Sequence, residues 1–409
     1  MAGPVPDVPI SPVDTAILGI NVTGQPYVVT LAGLLGPGGV VDADGHPDAG
    51  RVTEFLVPRV AREPDLQQRP QRRGGRWWWV HVPVDVSEHI TVESAHGDGG
   101  FEALCARLVM KPLPHDRPLW HITLVPGARP GRCGIVVRLH HAVVDGARAS
   151  ALLERLFDDG GEVDPVSDIG EDHLEADRPS FGARAHHVLT MFLRRPVRSR
   201  ALLGPVGRTR DVASTSVDLD RLEAGALTLG ATVNDAYLVA VGQGLRAVVT
   251  EAGEQVPDEL TVSVPVRVAT RGTAHNAVGV MLVGVPLTEP ELALRIVARR
   301  TSESKPLARA SGTAGVPSPR LFTVFTRHQR VIATVASNVR GPRHPLTLDG
   351  APLVEMWPLG PLAGNVRVGF TAASYAGRLW VGVECDAGNL PPASRIAAAV
   401  GRSLHSVAE

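Results

Sequence analysis

The chain has 409 residues, enough for two or three domains, and 44% of them are hydrophobic, an ordinary fraction for a globular protein. A formal net charge of −1 and a pI near 7.0 exclude the global positive field of a typical nucleic-acid-binding protein. Cys105, Cys133 and Cys385 are too few and too scattered for a disulfide framework, which suits a reducing cytosol. We find no signal-peptide pattern and no run of about 18 apolar residues. We therefore expect a cytoplasmic protein, with peripheral association at the inner face of the cell membrane left open.

Patterns in the first part of the chain alternate between helix and strand. Two stretches have apolar residues at helical spacing, 51–66 and 101–112. Three runs are typical of strands: 77–84, 121–127 and 133–140. The Gly/Pro-rich turn ARPGR joins the last two runs and indicates a hairpin. Leucines at helical spacing predict another helix directly after Asp145-Gly146.

The second half repeats this alternation after a segment of different composition. Residues 158–182 are acidic and aperiodic, and a basic stretch follows them, which indicates a linker. The clearest helix pattern spans 227–249, with Thr232 as N-cap and Asp235 in capping-box position. Four strand-like runs follow: ELTVSVPVRV, GVMLVGVPL, VIATVASNV and RLWVGVECD. We predict an N-terminal lobe over 1–160, a linker or crossover segment over 161–210 and a C-terminal lobe over 211–409.

The segment RLHHAVVDG, residues 138–146, is the strongest candidate for chemistry. In a strand, His141 continues the apolar side formed by Ile135, Val137 and Leu139, whereas His140 points to the other side. Burial would keep the His141 imidazole neutral near pH 7, as a general base acting on a hydroxyl or amine requires. Asp145 either holds the loop and orients a histidine or is simply the N-cap of the following helix. For His140, packing is favoured over chemistry.

Other reaction classes have weaker support. Adjacent histidines point to opposite sides of a strand, and no third ligand stands at zinc-helix spacing, so we predict no metal site. The sequence G-x-S-x-G of serine hydrolases is absent, as are both glycine-rich phosphate-binding patterns. No nucleic-acid-binding motif accompanies the basic stretches. From the residues alone, an enzymatic and a purely structural interpretation of His-His both stay open.

The segment H-H-A-V-V-D-G (140–146) resembles H-H-x-x-x-D-G, the active-site signature of the chloramphenicol acetyltransferase and condensation-domain superfamily. Its surroundings are similar to the bacterial wax ester synthase/diacylglycerol acyltransferase family. The similar segments keep the family's order and are ISPVDTAIL (10–18), DRPLWHITLVPG (116–127), TVNDAYLVAVGQGLR (232–246), SVPVRV (263–268), SNVRGPRHPLTLDGAPLVEMWPLGPL (337–362) and SYAGRLWVGVECD (374–386).

The resemblance implies an α/β fold with mixed sheets, in which two chloramphenicol-acetyltransferase-like lobes face each other across a central tunnel. It implies acyl transfer from an acyl-CoA thioester to a hydroxyl, with His141 as general base. Four residues form the expected catalytic set: His141, His140, Asp145 and Gly146. Three more are expected to contact substrate: Asn234, Asp235 and Trp120. We expect an alcohol or amine acceptor, acyl-CoA as co-substrate and no further cofactor.

Some positions depart from the family pattern. The region near the N-terminus reads GINVTGQPYVVTLAG in place of a Pro-Met-His-Val-Gly-like strand, and Gly369 stands where an Asn is expected. These departures leave open an acceptor from specialised metabolism. Two alternatives also stay open: a condensation-type N- or O-acyltransferase that uses a carrier-protein-bound donor, and a non-catalytic binding or scaffold protein.

Two basic stretches remain. Arg69, Arg72, Arg73 and Arg76 precede the run Trp77–Trp79, a combination that suits a membrane interface. We favour an exposed loop followed by a strand that buries at least one tryptophan. The arginines between 194 and 210 could attract CoA phosphates or an anionic membrane surface, or form the solvated face of a helix.

Overall fold

The computed structural model describes residues 7–20, 25–95, 100–157, 195–267, 278–311, 324, 326–362 and 364–409. These residues form two compact units, each with a mixed sheet and helices packed on it. The first unit takes the described residues up to 157 together with Arg340–Pro361. The second unit contains the remaining described residues from 195 onward. The predicted mixed α/β class is confirmed; residues 158–194, most of the predicted linker, lie outside the described residues.

The first unit is built on a six-stranded sheet. In spatial order its strands are β12 (Thr347–Leu348), β13 (Ala351–Leu359), β2 (Val28–Leu35), β7 (Arg132–His140), β6 (Trp120–Arg129) and β5 (Ile90–Val92). Neighbours are antiparallel except β5 and β6, which are parallel. Every residue of β2 and nearly every residue of β7 is buried, as in a strand covered on both faces. The predicted hairpin over 121–140 is confirmed by the β6–β7 pairing.

Four helices are described in this unit: α1 (Pro12–Ile20), α2 (Ala49–Val60), α3 (Gly100–Val109) and α4 (Gly146–Phe157). The predicted helix over 51–66 ends at Val60 and is followed by a separate 3-10 turn that begins at Pro64, which has no N–H for a continuing helix. The carboxyl end of α3 is held by Arg138 of β7, whose guanidinium donates to the carbonyls of Leu108 and Lys111.

The predicted C-terminal lobe over 211–409 is not continuous, because β13 belongs to the first unit. β13 pairs antiparallel with β2, and its Trp357 side chain is edge-on to Phe101 of α3 at 6.1 Å between ring centroids. Gly33 of β2 faces a bulge in β13, where a Cβ would clash with the carbonyl oxygen of Glu355. The chain therefore returns to complete the first sheet, since β2 would otherwise be left with an unpaired buried edge.

A small three-stranded sheet also belongs to the first unit. Its order is β1 (Val8–Pro9), β4 (Arg76–His81) and β3 (Gln68–Arg73), all antiparallel. The arginines before the tryptophans, expected in a loop, instead form β3 and the start of β4. Gly74 and Gly75 join the two strands with φ of 53° and 81°, which favours glycine and matches the twist of a tight hairpin. Trp79 is buried, as predicted for at least one of the three tryptophans.

The second unit has its own six-stranded sheet. In spatial order its strands are β10 (Val278–Pro286), β9 (Glu259–Arg267), β11 (Thr334–Arg340), β14 (Val368–Tyr375), β15 (Arg378–Asp386) and β8 (Arg210–Asp218). Its described helices are α5 (Leu219–Thr228), α6 (Val233–Glu251), α7 (Pro290–Ser311) and α8 (Ala393–Ala408). The core surrounds α6, whose apolar residues are almost all buried. The predicted capping box of Thr232 and Asp235 at the start of α6 is confirmed.

Among the described residues, no single helix has both the length and the hydropathy that crossing a bilayer requires. The bent pair α5 and α6 meets these criteria only when its two helices are taken together.

Candidate active site

The H-H-x-x-x-D-G segment connects a strand to a helix in the first unit. His140 is the last residue of β7 and Gly146 is the first residue of α4. The backbone N–H of His140 donates to the Leu119 carbonyl, 3.0 Å away, and Val28 of β2 is its cross-strand partner. The motif is therefore held at the end of the two central strands of the sheet, and the predicted strand and helix on its two sides are confirmed.

His141 directly follows β7 and is half-buried. Its backbone N–H donates to the carbonyl of Tyr27 at 2.9 Å, which continues the β2–β7 pairing by one residue. The two rings are tilted at 52° with their centroids 5.4 Å apart. Desolvation raises the pKa of the Tyr27 hydroxyl, which therefore stays protonated near neutral pH. Sequence reasoning did not single out Tyr27, because strand pairing brings it to His141 from a distant part of the chain.

His140 is fully buried. Its Nδ1 accepts a hydrogen bond from the backbone N–H of Ala142 at 3.1 Å, which leaves the proton of the neutral ring on Nε2. Burial, with smaller effects of the neighbouring His115 and His141, lowers the pKa of His140 to about 3. A neutral imidazole that accepts a backbone hydrogen bond inside the motif fits the packing role favoured from the sequence.

His115 is a neighbour of the motif that sequence reasoning missed. Its ring lies edge-on to His140 at 6.2 Å and edge-on to Trp77 at 5.9 Å between centroids. Within the described part of the chain, the Nε2 atoms of His115 and His140 are both buried without a hydrogen-bond partner. Desolvation lowers the pKa of His115, which favours its neutral form. The only signal in the sequence was its position directly before the DRPLW segment.

Asp145 is the N-cap of α4. Its Oδ1 accepts the backbone N–H of Arg148 at 2.8 Å, and its carbonyl accepts the N–H of Ala149 at 2.9 Å. Gly146 takes the first helical position without the positive φ of a turn glycine. The aspartate of the motif therefore fixes the direction in which the chain leaves the loop after His141.

Trp120, a predicted substrate contact, is packed into the first unit. It is buried in β6, its indole N–H donates to the Leu66 carbonyl at 3.0 Å, and its ring stacks on His89 at 4.1 Å. His89 in turn uses Nδ1 to bond the Trp120 carbonyl at 2.8 Å. The indole N–H and one ring face of Trp120 are therefore used in packing, and its contact with substrate stays a prediction.

Asn234 and Asp235 begin α6 in the second unit. Asp235 is buried, and its carboxylate accepts bonds from the Thr232 backbone and hydroxyl and from the Thr301 hydroxyl at 2.6 Å. These contacts use both of its oxygens within the second unit, and the substrate contact of Asp235 stays a prediction. Asn234 is half-buried, and its Oδ1 lies 3.5 Å from the amide nitrogen of Asn338.

One exposed cluster among the described residues has metal-ligating side chains close together. Asp42, Asp44 and His46 place one ligand atom each within 4.8 Å of one another. Asp42 Oδ1 already accepts the backbone N–H groups of the other two, so the carboxylate is part of the loop's own hydrogen bonding. We assign no metal to this cluster, since exposed acidic groups at this spacing are also common in solvated loops.

Comparison with known proteins agrees with this geometry. Residues 10–179 match the model of the wax ester synthase/diacylglycerol acyltransferase catalytic domain, and residues 275–408 match that of the C-terminal domain of the same family. "Probable diacyglycerol O-acyltransferase tgs1" of Mycobacterium tuberculosis is 27% identical over 366 residues, covering 78% of this chain and 79% of the relative.

Solved structures share the fold. The wax ester synthase/diacylglycerol acyltransferase from Marinobacter aquaeolei VT8 has a TM-score of 0.71 at 21% identity and covers 98% of both chains. The first condensation domain of the calcium-dependent antibiotic synthetase has a TM-score of 0.65 at 17% identity, covering 100% of this chain and 96% of the other. With two domain models of one family matched in order along most of its length, this chain is a member of the wax ester synthase/diacylglycerol acyltransferase family and an acyltransferase.

Proposed function

We propose that the protein transfers an acyl group from an acyl-CoA thioester to a hydroxyl acceptor, with His141 as the general base. The observation that carries this proposal is the placement of His141 in an intact H-H-x-x-x-D-G segment. Its backbone is fixed by the Tyr27 carbonyl on one side and by the Asp145-capped helix on the other. A base held at a defined point of a rigid strand end is what positioned proton transfer requires.

In the proposed reaction, an imidazole nitrogen of His141 accepts the proton of the acceptor hydroxyl. The hydroxyl oxygen forms a bond to the thioester carbonyl carbon. The carbon–sulfur bond then breaks, and the CoA sulfur takes the proton back from His141. The products are an ester and free CoA thiol, and the reaction needs neither an acyl-enzyme nor a cofactor beyond the co-substrate.

The neighbours of His141 have supporting roles in this proposal. His140 stays neutral because of its burial, so it places no second positive charge beside the base when His141 becomes protonated. Asp145 and Gly146 set the path of the loop through the start of α4. Asn234 belongs to the second unit, and we propose it by itself as a contact for substrate, because its side chain is half-buried and its amide nitrogen can still donate a hydrogen bond.

The hydroxyl acceptor is supported by the relatives, which are named as diacylglycerol O-acyltransferases. Thiol release from a medium-chain acyl-CoA with a panel of alcohols and amines tests this proposal. Wild type is compared with His141→Ala and with His405→Ala, which removes an exposed histidine of α8. We expect alcohol-dependent thiol release that only His141→Ala abolishes. Release only with amines, or only from an acyl-loaded carrier protein, would contradict the proposed acceptor or donor.

A further inference from the structure

The hairpin of β3 and β4, residues 68–81, has one inward and one outward face. Cross-strand pairing and the alternation of side chains place Pro70, Arg72, Trp77 and Trp79 on one face. Trp79 and Pro70 are buried there, whereas Arg72, next to the hairpin turn, is exposed. The opposite face is therefore the outward one. Its members are Arg69, Gln71, Arg73, Arg76, Trp78 and Val80. We call residues 68–81 the arginine–tryptophan hairpin.

Positive charge on this hairpin is concentrated and mostly unpaired. Arg73 forms an ion pair with Asp7 at 2.5 Å. Within the described residues, Arg69, Arg72 and Arg76 have no acidic partner, and Arg72 and Arg76 are exposed. Many arginines elsewhere in the described chain do have one, among them Arg51, Arg107, Arg117, Arg129, Arg155 and Arg395. The hairpin is thus a local basic site on a chain whose formal net charge is −1.

The hairpin tip, residues 72–76, is exposed. A Cβ built on Gly74 or Gly75 would meet no atom within 4 Å. Arg72, Arg73 and Arg76 flank this tip, and β3 is an edge strand of its small sheet. Exposure of the tip would let these guanidinium groups reach a flat surface.

Apolar side chains lie between the charges on the outward face. Trp78 and Val80 are only half-buried there, and Trp78 is directly opposite Gln71. An indole ring with a polar N–H is suited to the boundary between headgroups and acyl chains. Guanidinium groups bind phosphate through two hydrogen bonds at once. A soluble polyanion would use the arginines alone, whereas a bilayer surface would use both kinds of side chain.

We propose that the arginine–tryptophan hairpin is a docking surface for a bilayer that contains anionic phospholipids, with the arginines on the headgroup phosphates and Trp78 in the interfacial layer. The proposal does not depend on which acyl transfer the protein catalyses. Binding can therefore be measured without any substrate.

The test is cosedimentation with vesicles of phosphatidylcholine, with or without phosphatidylglycerol. The variant Arg69→Gln/Arg72→Gln/Arg76→Gln removes the three unpaired charges. The control Arg221→Gln/Arg246→Gln/Arg402→Gln removes the same charge from exposed helix positions of the second unit. Because each arginine near an anionic surface raises partitioning about fivefold, the hairpin variant should bind roughly 100-fold more weakly. The control should bind like wild type, and high salt should weaken wild-type binding.

A tryptophan variant and a folding control complete the vesicle-binding test. Trp78→Leu should weaken vesicle binding but leave binding to heparin, a soluble polyanion, unchanged. Thermal melting identifies a variant that has not folded, and Arg76→Gln, at the exposed tip on the outward face, then serves alone with an expected loss of about fivefold. Equal binding of wild type to neutral and anionic vesicles would overturn the proposal. Wild-type affinity of the hairpin variant for anionic vesicles would also overturn it. So would wild-type vesicle binding by Trp78→Leu, if heparin binding depended on the hairpin arginines.

Discussion

The ring of His141 lies 5.4 Å from the ring of Tyr27, and the His141 backbone N–H donates to the Tyr27 carbonyl. This pairing extends the two central strands of the first sheet to the catalytic histidine of the proposed reaction. The position of the base therefore rests on strand pairing, and removal of the imidazole should leave that pairing intact. A substitution of the His141 side chain should therefore change turnover without changing the folding stability.

His141→Ala should lower turnover by roughly 10²–10⁴-fold, the usual loss when positioned proton transfer is removed. Its melting temperature should stay near that of wild type, because the backbone bond to Tyr27 is kept and the side chain is only half-buried. Steady-state thiol release and thermal melting are the two measurements. Near wild-type turnover on a confirmed substrate would mean that another group takes the proton.

Asp145→Ala should lose activity and stability together, since it removes the cap of α4. Loss of an N-cap costs about 1 kcal/mol of unfolding free energy. Asp145→Asn is the matched control, because asparagine caps helices as well as aspartate does. Chemical denaturation should show the loss only for the alanine variant. If Asp145→Asn were stable but inactive, the carboxylate would have a role beyond the cap.

His140 should make stability depend on pH in the acid range. Its folded-state pKa is lowered to about 3, below the usual value of 6.5, so the unfolded chain binds the proton first as pH falls. The stabilisation is therefore complete above about pH 6.5 and is lost as pH falls toward about 3, by roughly 1.4 kcal/mol per pH unit. His140→Asn should flatten this dependence.

The difference between wild type and His140→Asn isolates this group from other acid-sensitive ones, among them His121, whose pKa burial lowers to about 4. His405→Asn, at an exposed position of α8, is the control. Unfolding free energies at several pH values provide the measurement. If the unfolding free energies of wild type and His140→Asn changed with pH in parallel, burial would not lower the pKa of His140.

His115 should support the motif through ring packing. His115→Ala removes the ring between Trp77 and His140 and should destabilise the protein by about 1–2 kcal/mol, within the usual range for loss of a packing contact. His115→Phe keeps an aromatic ring in that place and should recover most of the stability. Denaturant unfolding of the two variants checks this. Equal stabilities would show that the imidazole nitrogens, and not the ring contacts, matter.

Arg210 and Glu384 form a buried ion pair in the second unit, with Nε and Oε1 3.2 Å apart. Burial raises the pKa of Glu384 more than the Arg210 guanidinium lowers it, so that this pKa is about 7. Arg210→Met alone should cost about 3–5 kcal/mol, because it leaves a buried carboxyl group without its partner. The double variant Arg210→Met/Glu384→Met should be much less destabilised. A double variant as unstable as the single one would contradict this account of the pair.

Local patterns in the sequence predicted much of the secondary structure and the reactive loop. The hairpin over 121–140, the capping box of Thr232 and Asp235 and the strand and helix around H-H-x-x-x-D-G all match the structure. These features depend on hydrogen bonds and side-chain contacts between residues a few positions apart. Such contacts leave a periodicity or a cap residue that can be recognised without the fold.

Tertiary structure decided which distant segments complete the site and the first sheet. β13 pairs with β2 although a whole unit separates them in sequence, and Tyr27 and His115 lie beside the motif through strand register and ring packing. It also buried Trp120, Asp235 and Arg210 and gave each of them a hydrogen-bond or ion-pair partner from another element. Burial and partner choice depend on the packing of the whole unit, because the cost of burying a polar group is offset only by partners that the fold brings together.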